Sequence, residues 1–323
     1  MQPMLAAARI GFRLVRLALM IEGQEGVTWE DWVALADACE QNGVEALFRS
    51  DHYISGFDET RPVLDAWTTI AGLAARTSEL GLGTLVSPVT FRHPAVLARS
   101  AATADEISDG RVVLGMGAGW MKREHEAYGF EFTTAHERVS LFGEQLEIVQ
   151  RLLRDDRVDF EGEHYTLIDA PGLRRPELPL LVGGSAKPGT TEPAVRFADE
   201  YNTFFATTDE LRERRRILDE ACERHGRDPA TLRYSLMAPC VIGRDEQELK
   251  ESARRVGARF GREPEDVLER YGEFGPVGTV EQVVERLKQI EELGYERVML
   301  QHLAHRDLDT VAIIGRELAP AVA

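Results

Sequence analysis

Short apolar runs recur along the chain at 17–21, 44–49, 80–86, 111–116, 179–183, 201–206, 232–242 and 296–301, eight in all. Between them lie longer stretches whose apolar positions follow helical spacing. Three of these carry clear start or stop signals. Thr28 precedes WEDWVALADACEQNG with Gly43 as its stop, Asp65 precedes AWTTIAGLAARTS, and Pro94 opens PAVLARSAATADEIS ahead of Asp109 and Gly110. Further helices are expected at 134–154, 190–198, 208–225, 245–260, 279–293 and 308–318. Continuous apolar strands alternating with helices imply a parallel sheet covered on both faces. Eight such units in one chain favour a single closed (β/α)8 TIM barrel, an α/β fold, over an open doubly wound sheet.

Two segments break the rhythm. Residues 158–178, VDFEGEHYTLIDAPGLRRPEL, alternate like a short hairpin, and residues 261–278 sit between a helix and GPVGT. Both are expected as insertions at the C-terminal mouth of the barrel. The barrel domain is expected over 15–323, with residues 1–14 as an N-terminal tail. Arg13 and Arg16 interrupt the apolar stretch there, so it lacks the core of a secretory signal, and no window reaches the ~18 apolar residues of a membrane span.

Charge narrows the partners. With 38 Lys and Arg against 55 Asp and Glu the formal charge is −17, the wrong sign for a protein that neutralises nucleic-acid phosphates. A local cationic pocket for a small anion stays compatible with it. Cys39, Cys222 and Cys240 are too few and too scattered for a disulfide framework or a zinc site, and read as buried thiols in a reducing cytoplasm.

In a barrel, chemistry sits on the loops after the strands. Those loops carry Glu22, Gln24 and Glu25; Ser50, Asp51, His52 and Tyr53; Ser87, Thr90, Phe91, Arg92 and His93; Gly117, Gly119, Trp120, Lys122, Glu124 and His125; and Gly183, Gly184, Ser185 and Lys187. Asp51 and His52 form the sharpest pair, because a histidine at a strand end can exchange a proton near pH 7. The plainer alternative is a histidine packed at the rim. No spacing of His, Cys, Asp or Glu suggests a metal site, and Glu124-His125, on a Lys/Glu-rich helical turn, reads as a solvated face. The glycines of Gly115-Met116-Gly117-Ala118-Gly119 suit either close approach to a flat ring or phosphate, or a tight turn with no ligand. Gly183-Gly184-Ser185, between a strand and a helix, offers amide N–H groups to a phosphate.

The segments LGLGTLVSPVTFRHPAVLARSAATADEISDGRVVLGMGAGWMKREHEAYG, LLVGGS and RFADEYN resemble the bacterial luciferase-like monooxygenase superfamily, in particular its branch using the deazaflavin coenzyme F420. The resemblance runs from about residue 17 to the end. It implies a cofactor in the mouth, its ring near strands two to four and its phosphate on Gly183, Gly184 and Ser185. It also implies His52 as proton donor or acceptor, with Asp51 orienting it, and a non-proline cis peptide around Leu85 and Val86, against the ring. Gly117 and Gly119 would border that ring, and Arg92 and Lys187 are the cations expected for the coenzyme's anionic tail. Trp120 stands where relatives with sugar-phosphate substrates carry an acid, which points away from such substrates. Tyr53, Phe91 and Trp120 would instead roof an apolar substrate, or simply pack the rim.

A deazaflavin carries hydride and reacts poorly with oxygen, so the implied activity is hydride transfer between F420 and a small organic substrate such as an enone, imine or alcohol. One alternative is an FMN-dependent monooxygenase of the same superfamily, served by a partner reductase that supplies reduced flavin. Another is a non-catalytic flavin-binding barrel, and a third is an unrelated barrel hydrolase or aldolase. The resemblance further implies a homodimer, with the helices after strands two and three as the surfaces to pair.

Overall fold

The computed structural model describes residues 15–322, and the expected tail, 1–14, lies outside them. The eight apolar runs form strands β1 (Arg16–Ile21), β2 (Ala46–Arg49), β3 (Gly81–Thr84), β4 (Val112–Gly117), β5 (Leu180–Gly183), β6 (Glu200–Phe204), β7 (Arg233–Gly243) and β8 (Arg297–His302). Each pairs in parallel with the next, and β8 returns to β1, so the sheet closes as a (β/α)8 barrel. The third run is shorter than its apolar pattern. After Thr84 the Leu85–Val86 peptide bond is cis, as the resemblance implies, and Ser87–Pro88 then pairs with Met116 and Gly117 of β4.

Helices α1 (Trp29–Asn42), α2 (Ala66–Arg76), α3 (Pro94–Ser108), α4 (Lys122–Tyr128), α5 (Ala135–Arg154), α6 (Pro188–Phe197), α7 (Thr208–Arg224), α8 (Glu246–Phe260), α9 (Pro264–Gly272), α10 (Val280–Glu292) and α11 (Leu308–Ile313) surround it. Capping boxes at Thr28–Asp31, Thr134–Glu137, Thr207–Glu210 and Thr279–Gln282 start four of them. Each box satisfies two orphan donors and contributes about 1 kcal/mol, which fixes where the loops at the mouth end.

Helical spacing alone does not tell a crossover helix from an inserted one. The stretch at 245–260 is helical, but α8 belongs with α9 to the insertion, which returns as Val277–Thr279 to pair with the top of β7. The crossover from β7 to β8 is made by α10. This insertion does lie at the mouth. The hairpin Arg157–Glu161 and Thr166–Pro171 does not: it leaves the C-terminal end of α5 and runs along the barrel's flank. Glu144 of α5 accepts from the backbone of Glu163, His164 and Tyr165 at the hairpin tip.

The barrel interior is layered. At the N-terminal end Arg297 bridges Glu200 at 2.8 Å and Glu45 at 3.2 Å. An apolar layer of Ala18, Met20, Ala46, Phe48, Leu85, Leu181 and Met299 fills the middle. Two residues further along their strands, Glu22, Ser50 and Gln301 form a polar layer beneath the mouth, since alternate residues of a strand share a face. Gly115 lets β4 come close to β3: a Cβ there would sit inside the van der Waals shell of the Thr84 carbonyl oxygen. Gly143, in the interior of α5, has open space around it. Replacing Gly115 by Ala is expected to cost about 1–3 kcal/mol through overpacking, whereas Gly143→Ala stabilises by up to ~1 kcal/mol through helix propensity. Paired urea-unfolding midpoints measure the contrast.

Candidate active site

The loop after β2 is held residue by residue. The Asp51 carboxylate accepts from Ser87 Oγ at 2.8 Å and from Arg92 Nη1 at 2.5 Å, and Ser87 Oγ in turn accepts from Trp67 Nε1 at 3.0 Å. The Tyr53 N–H donates to Glu124 Oε2 at 3.0 Å, and the Tyr53 ring packs on Phe91, Tyr128 and Phe130. Between them His52 meets Glu124 Oε1 through Nδ1 at 2.9 Å. A carboxylate accepts, so Nδ1 carries a proton and Nε2 is the atom left for proton exchange.

This corrects three expectations. Glu124 and His125 are not a solvated face: they are 1% and 0% exposed. His125 is a structural residue, bonded to Thr90 Oγ1 at 2.6 Å and to the Met121 carbonyl at 2.8 Å. Glu124, not Asp51, orients His52, because both Asp51 oxygens face Arg92. Arg92 is no free cation for a cofactor tail: its guanidinium is shared by Asp51, Asp65 at 2.7 Å and the Tyr53 hydroxyl at 3.1 Å.

Electrostatics at His52 balance two opposed effects. Burial is the largest and disfavours the imidazolium. The hydrogen bond and charge of Glu124, with Glu22 and Asp51 behind them, outweigh it together and raise the pKa above the ordinary 6.5. Trp120 stands over this ring, edge-on at 5.7 Å between centroids, and is 70% exposed. It therefore borders the mouth, while Tyr53 and Phe91 belong to a packed aromatic cluster with Phe130.

Across the mouth, Val86 of the cis peptide rises between two strand ends. A Cβ at Gly117 would lie 2.5 Å from Val86 Cγ2 and one at Gly183 3.0 Å from Val86 Cγ1. A Cβ at Gly117 would force Val86 to shift, and one at Gly183 would crowd it. Gly119 adopts φ +78°, a turn conformation that favours glycine. After β5, the Gly184 N–H donates to the Asn202 carbonyl and the Ala186 N–H to the Tyr201 hydroxyl, both at 2.9 Å, so the Gly184 amide expected to hold phosphate is used by the strand pairing instead. Gly184 itself is held where a Cβ would collide with the Tyr201 and Thr190 hydroxyls. Ser185 is half-buried at this turn, and Lys187 is exposed as the N-cap of α6.

Beneath the mouth lies a polar network missed as a unit by sequence reasoning. Glu22 accepts from Gln24 Nε2 at 2.9 Å and from Gln301 Nε2 at 2.5 Å, and Ser50 Oγ donates to Gln24 Oε1 at 2.5 Å. Glu22 and Gln24 were visible as residues after the first strand; Gln301 carried no signal beyond its place at the end of the eighth.

With this geometry in hand, comparison with known proteins identifies the family. The luciferase-like monooxygenase family model matches residues 12–297, and the chain belongs to that family. It is similar to the F420-dependent glucose-6-phosphate dehydrogenase of Microbacterium testaceum (strain StLB037), 28% identical over 306 residues, 87% of this chain and 90% of the relative. Its fold matches that of an F420-dependent secondary alcohol dehydrogenase in complex with an F420-acetone adduct, at TM-score 0.79 and 20% identity, covering 96% of this chain and 99% of the other. It also matches the oxygenating constituent of 3,6-diketocamphane monooxygenase from Pseudomonas putida in complex with FMN, at TM-score 0.74 and 16% identity, covering 95% and 98%.

Because the folded state binds the His52 proton more tightly than the unfolded chain, the charged ring adds stability in full below pH 6.5, an increment lost as pH rises through the raised folded value. Glu124→Gln removes the charge that sustains it. The His52 titration followed by NMR is expected to move to lower pH in that variant; an unchanged midpoint would contradict the assignment of Glu124.

Proposed function

We propose that this protein is an oxidoreductase that transfers a hydride between the deazaflavin coenzyme F420 and a small organic substrate, an enone, imine or alcohol, with His52 as the proton donor or acceptor. The observation that carries the reading is the His52–Glu124 pair, which leaves Nε2 as the proton-exchanging atom at the mouth. The F420-dependent relatives support the choice of cofactor.

The residues present fit such a group. Val86, with Gly117 and Gly183 closed around it, forms an apolar hump against which a flat ring would lie, and Leu85 supports it from the barrel core. Gly183 and Gly184 shape the turn at the N-terminus of α6, where Ser185 would bind phosphate. Lys187 beside it would meet the anionic tail. When bound, the cofactor supplies a carbon that takes up or delivers two electrons as hydride.

The chain's part is the proton. In alcohol oxidation the unprotonated His52 Nε2 accepts the hydroxyl proton as hydride leaves the carbinol carbon, giving a ketone. In the reverse direction the protonated ring donates it. Glu124 keeps Nδ1 protonated throughout, so exchange is confined to Nε2. The raised pKa keeps the donor form populated to a higher pH than in an ordinary histidine, which extends reduction towards higher pH.

The second reading, an FMN-dependent monooxygenase fed by a partner reductase, draws on the FMN-bound structural relative. Titrating the apo protein with F420 and with FMN by fluorescence quenching separates them. Micromolar F420 binding with much weaker FMN binding supports hydride transfer, and the reverse order supports the monooxygenase. His52→Ala is expected to leave F420 affinity within about threefold while turnover falls about 10²–10⁴-fold, the usual contribution of a positioned acid or base; unchanged turnover removes His52 from the proton step.

A further inference from the structure

Two groups in the polar layer under the mouth are only partly used. Glu22 has neutral amides as its hydrogen-bond partners, Gln24 and Gln301, and no ion pair reaches it among the described residues. Gln301 is 5% exposed, and its Oε1 is buried with no hydrogen-bond partner. A buried acceptor without a donor is costly to leave unmade. Here it lies beside a carboxylate without a cation, and the Glu22–Gln301 contact puts both on one spot at the inner rim. Both vacancies ask for the same thing, an O–H or N–H donor.

The surroundings say what else that donor is attached to. Gln301 is in register with Pro239 of β7, and the end of the α8–α9 insertion crosses that proline: a Cβ on Gly275 would collide with the Pro239 carbonyl oxygen. Phe274, next to it, packs edge-on against Phe205 at 6.5 Å, and Phe204 and Phe205 at the end of β6 are 41% and 37% exposed. Trp120 borders the opposite side, over His52. Cations near the β1 and β2 loops are already engaged: Arg61 with Glu25, Arg92 with Asp51 and Asp65, and Arg259 with the Glu25 carbonyl.

We propose that Glu22 and Gln301 are a substrate-recognition pair that holds an O–H or N–H donor of an uncharged or cationic, lipophilic substrate against the Phe204, Phe205, Phe274 and Trp120 walls, and that turns anionic substrates away, sugar phosphates included. This rests on the oxidoreductase reading of the same mouth and adds the class of substrate to it. Glu22 and His52 follow the ends of the adjacent parallel strands β1 and β2, so a donor held by Glu22 and the proton-exchanging group are within reach of one small molecule. A sugar phosphate would bring a dianion towards this unneutralised carboxylate, which disfavours it.

The test uses the full-length apo protein in phosphate buffer, so that inorganic phosphate competes for any anion site at the Ser185 turn, and calorimetric titration with cyclohexylamine, cyclohexanol and glucose 6-phosphate. Cyclohexylammonium is expected to bind the wild type and to weaken at least about tenfold in Glu22→Gln. Cyclohexanol is expected to change less than about threefold there, because Gln still accepts, but to weaken in Gln301→Leu. Glucose 6-phosphate is expected to bind at least about 100-fold more weakly than cyclohexylammonium. Tighter binding of the sugar phosphate, no binding of amine and alcohol, or an amine affinity indifferent to Glu22→Gln would each overturn the proposal. Glu22→Gln is nearly isosteric, and wild-type near-UV circular dichroism verifies its fold; should Gln301→Leu fail to fold, Gln301→Glu, expected to tighten the amine and repel the sugar phosphate, replaces it. F420 affinity in the same variants is expected to hold; a wild type that binds F420 but not the amine overturns this inference alone, whereas a wild type that binds no F420 overturns the cofactor reading while the amine titration still stands.

Discussion

One buried carboxylate organises the mouth of this barrel. Glu124 is 1% exposed and spans 72 positions in sequence to take both the His52 imidazole and the Tyr53 amide. An ionised carboxylate is costly to bury unless its oxygens are satisfied, and here each oxygen receives one donor from the same loop. The reward is positional. The charge-assisted bond to Nδ1 fixes the tautomer and the plane of the ring, and the second bond ties the backbone, so α4 and the β2 loop are one unit. Asp51, immediately before, is anchored separately by Arg92 and Ser87. Consecutive residues therefore have independent restraints, which is what a site needs if its reactive atom is to stay within a few tenths of an ångström of its working position.

The barrel supplies the frame for that unit. Its parallel register brings the ends of β1, β2 and β8 together, so Glu22, Ser50 and Gln301 share a layer although Gln301 lies 279 positions from Glu22. Glycines on β4 and β5 clear space for Val86, giving the mouth one apolar side and one polar side. A ligand that spans the two meets apolar packing at one end and hydrogen-bonding groups at the other, the usual division of labour in small-molecule sites.

How much of this the sequence revealed follows from the range of the forces involved. Strands and most helices were legible because burial on both faces makes a strand uniformly apolar, and because Thr caps act within four residues. The positions of the glycine loops and of His52 at strand ends were legible for the same local reason. The role of α8 was not, since an inserted amphipathic helix has the same periodicity as a crossover helix. Glu124 was misread because KREHEAY has the composition of a solvated turn; its burial is decided by His52 and Tyr53, distant in the chain. Arg92 misled in the opposite sense, a cation in a promising loop whose charge is consumed by Asp51 and Asp65. Charged residues near a mouth carry little meaning until their partners are known.

That accounting of partners also explains how an acidic protein can accommodate an anionic cofactor without a cationic cleft. The arginines bordering the β1 and β2 loops are bound within the protein, while the turn after β5 presents Ser185 and the N-terminus of α6, whose peptide dipoles attract negative charge without a formal cation. Lys187 is the N-cap residue of that helix, beside the turn, and Glu22, at the end of β1, has only amide hydrogen-bond partners among the described residues.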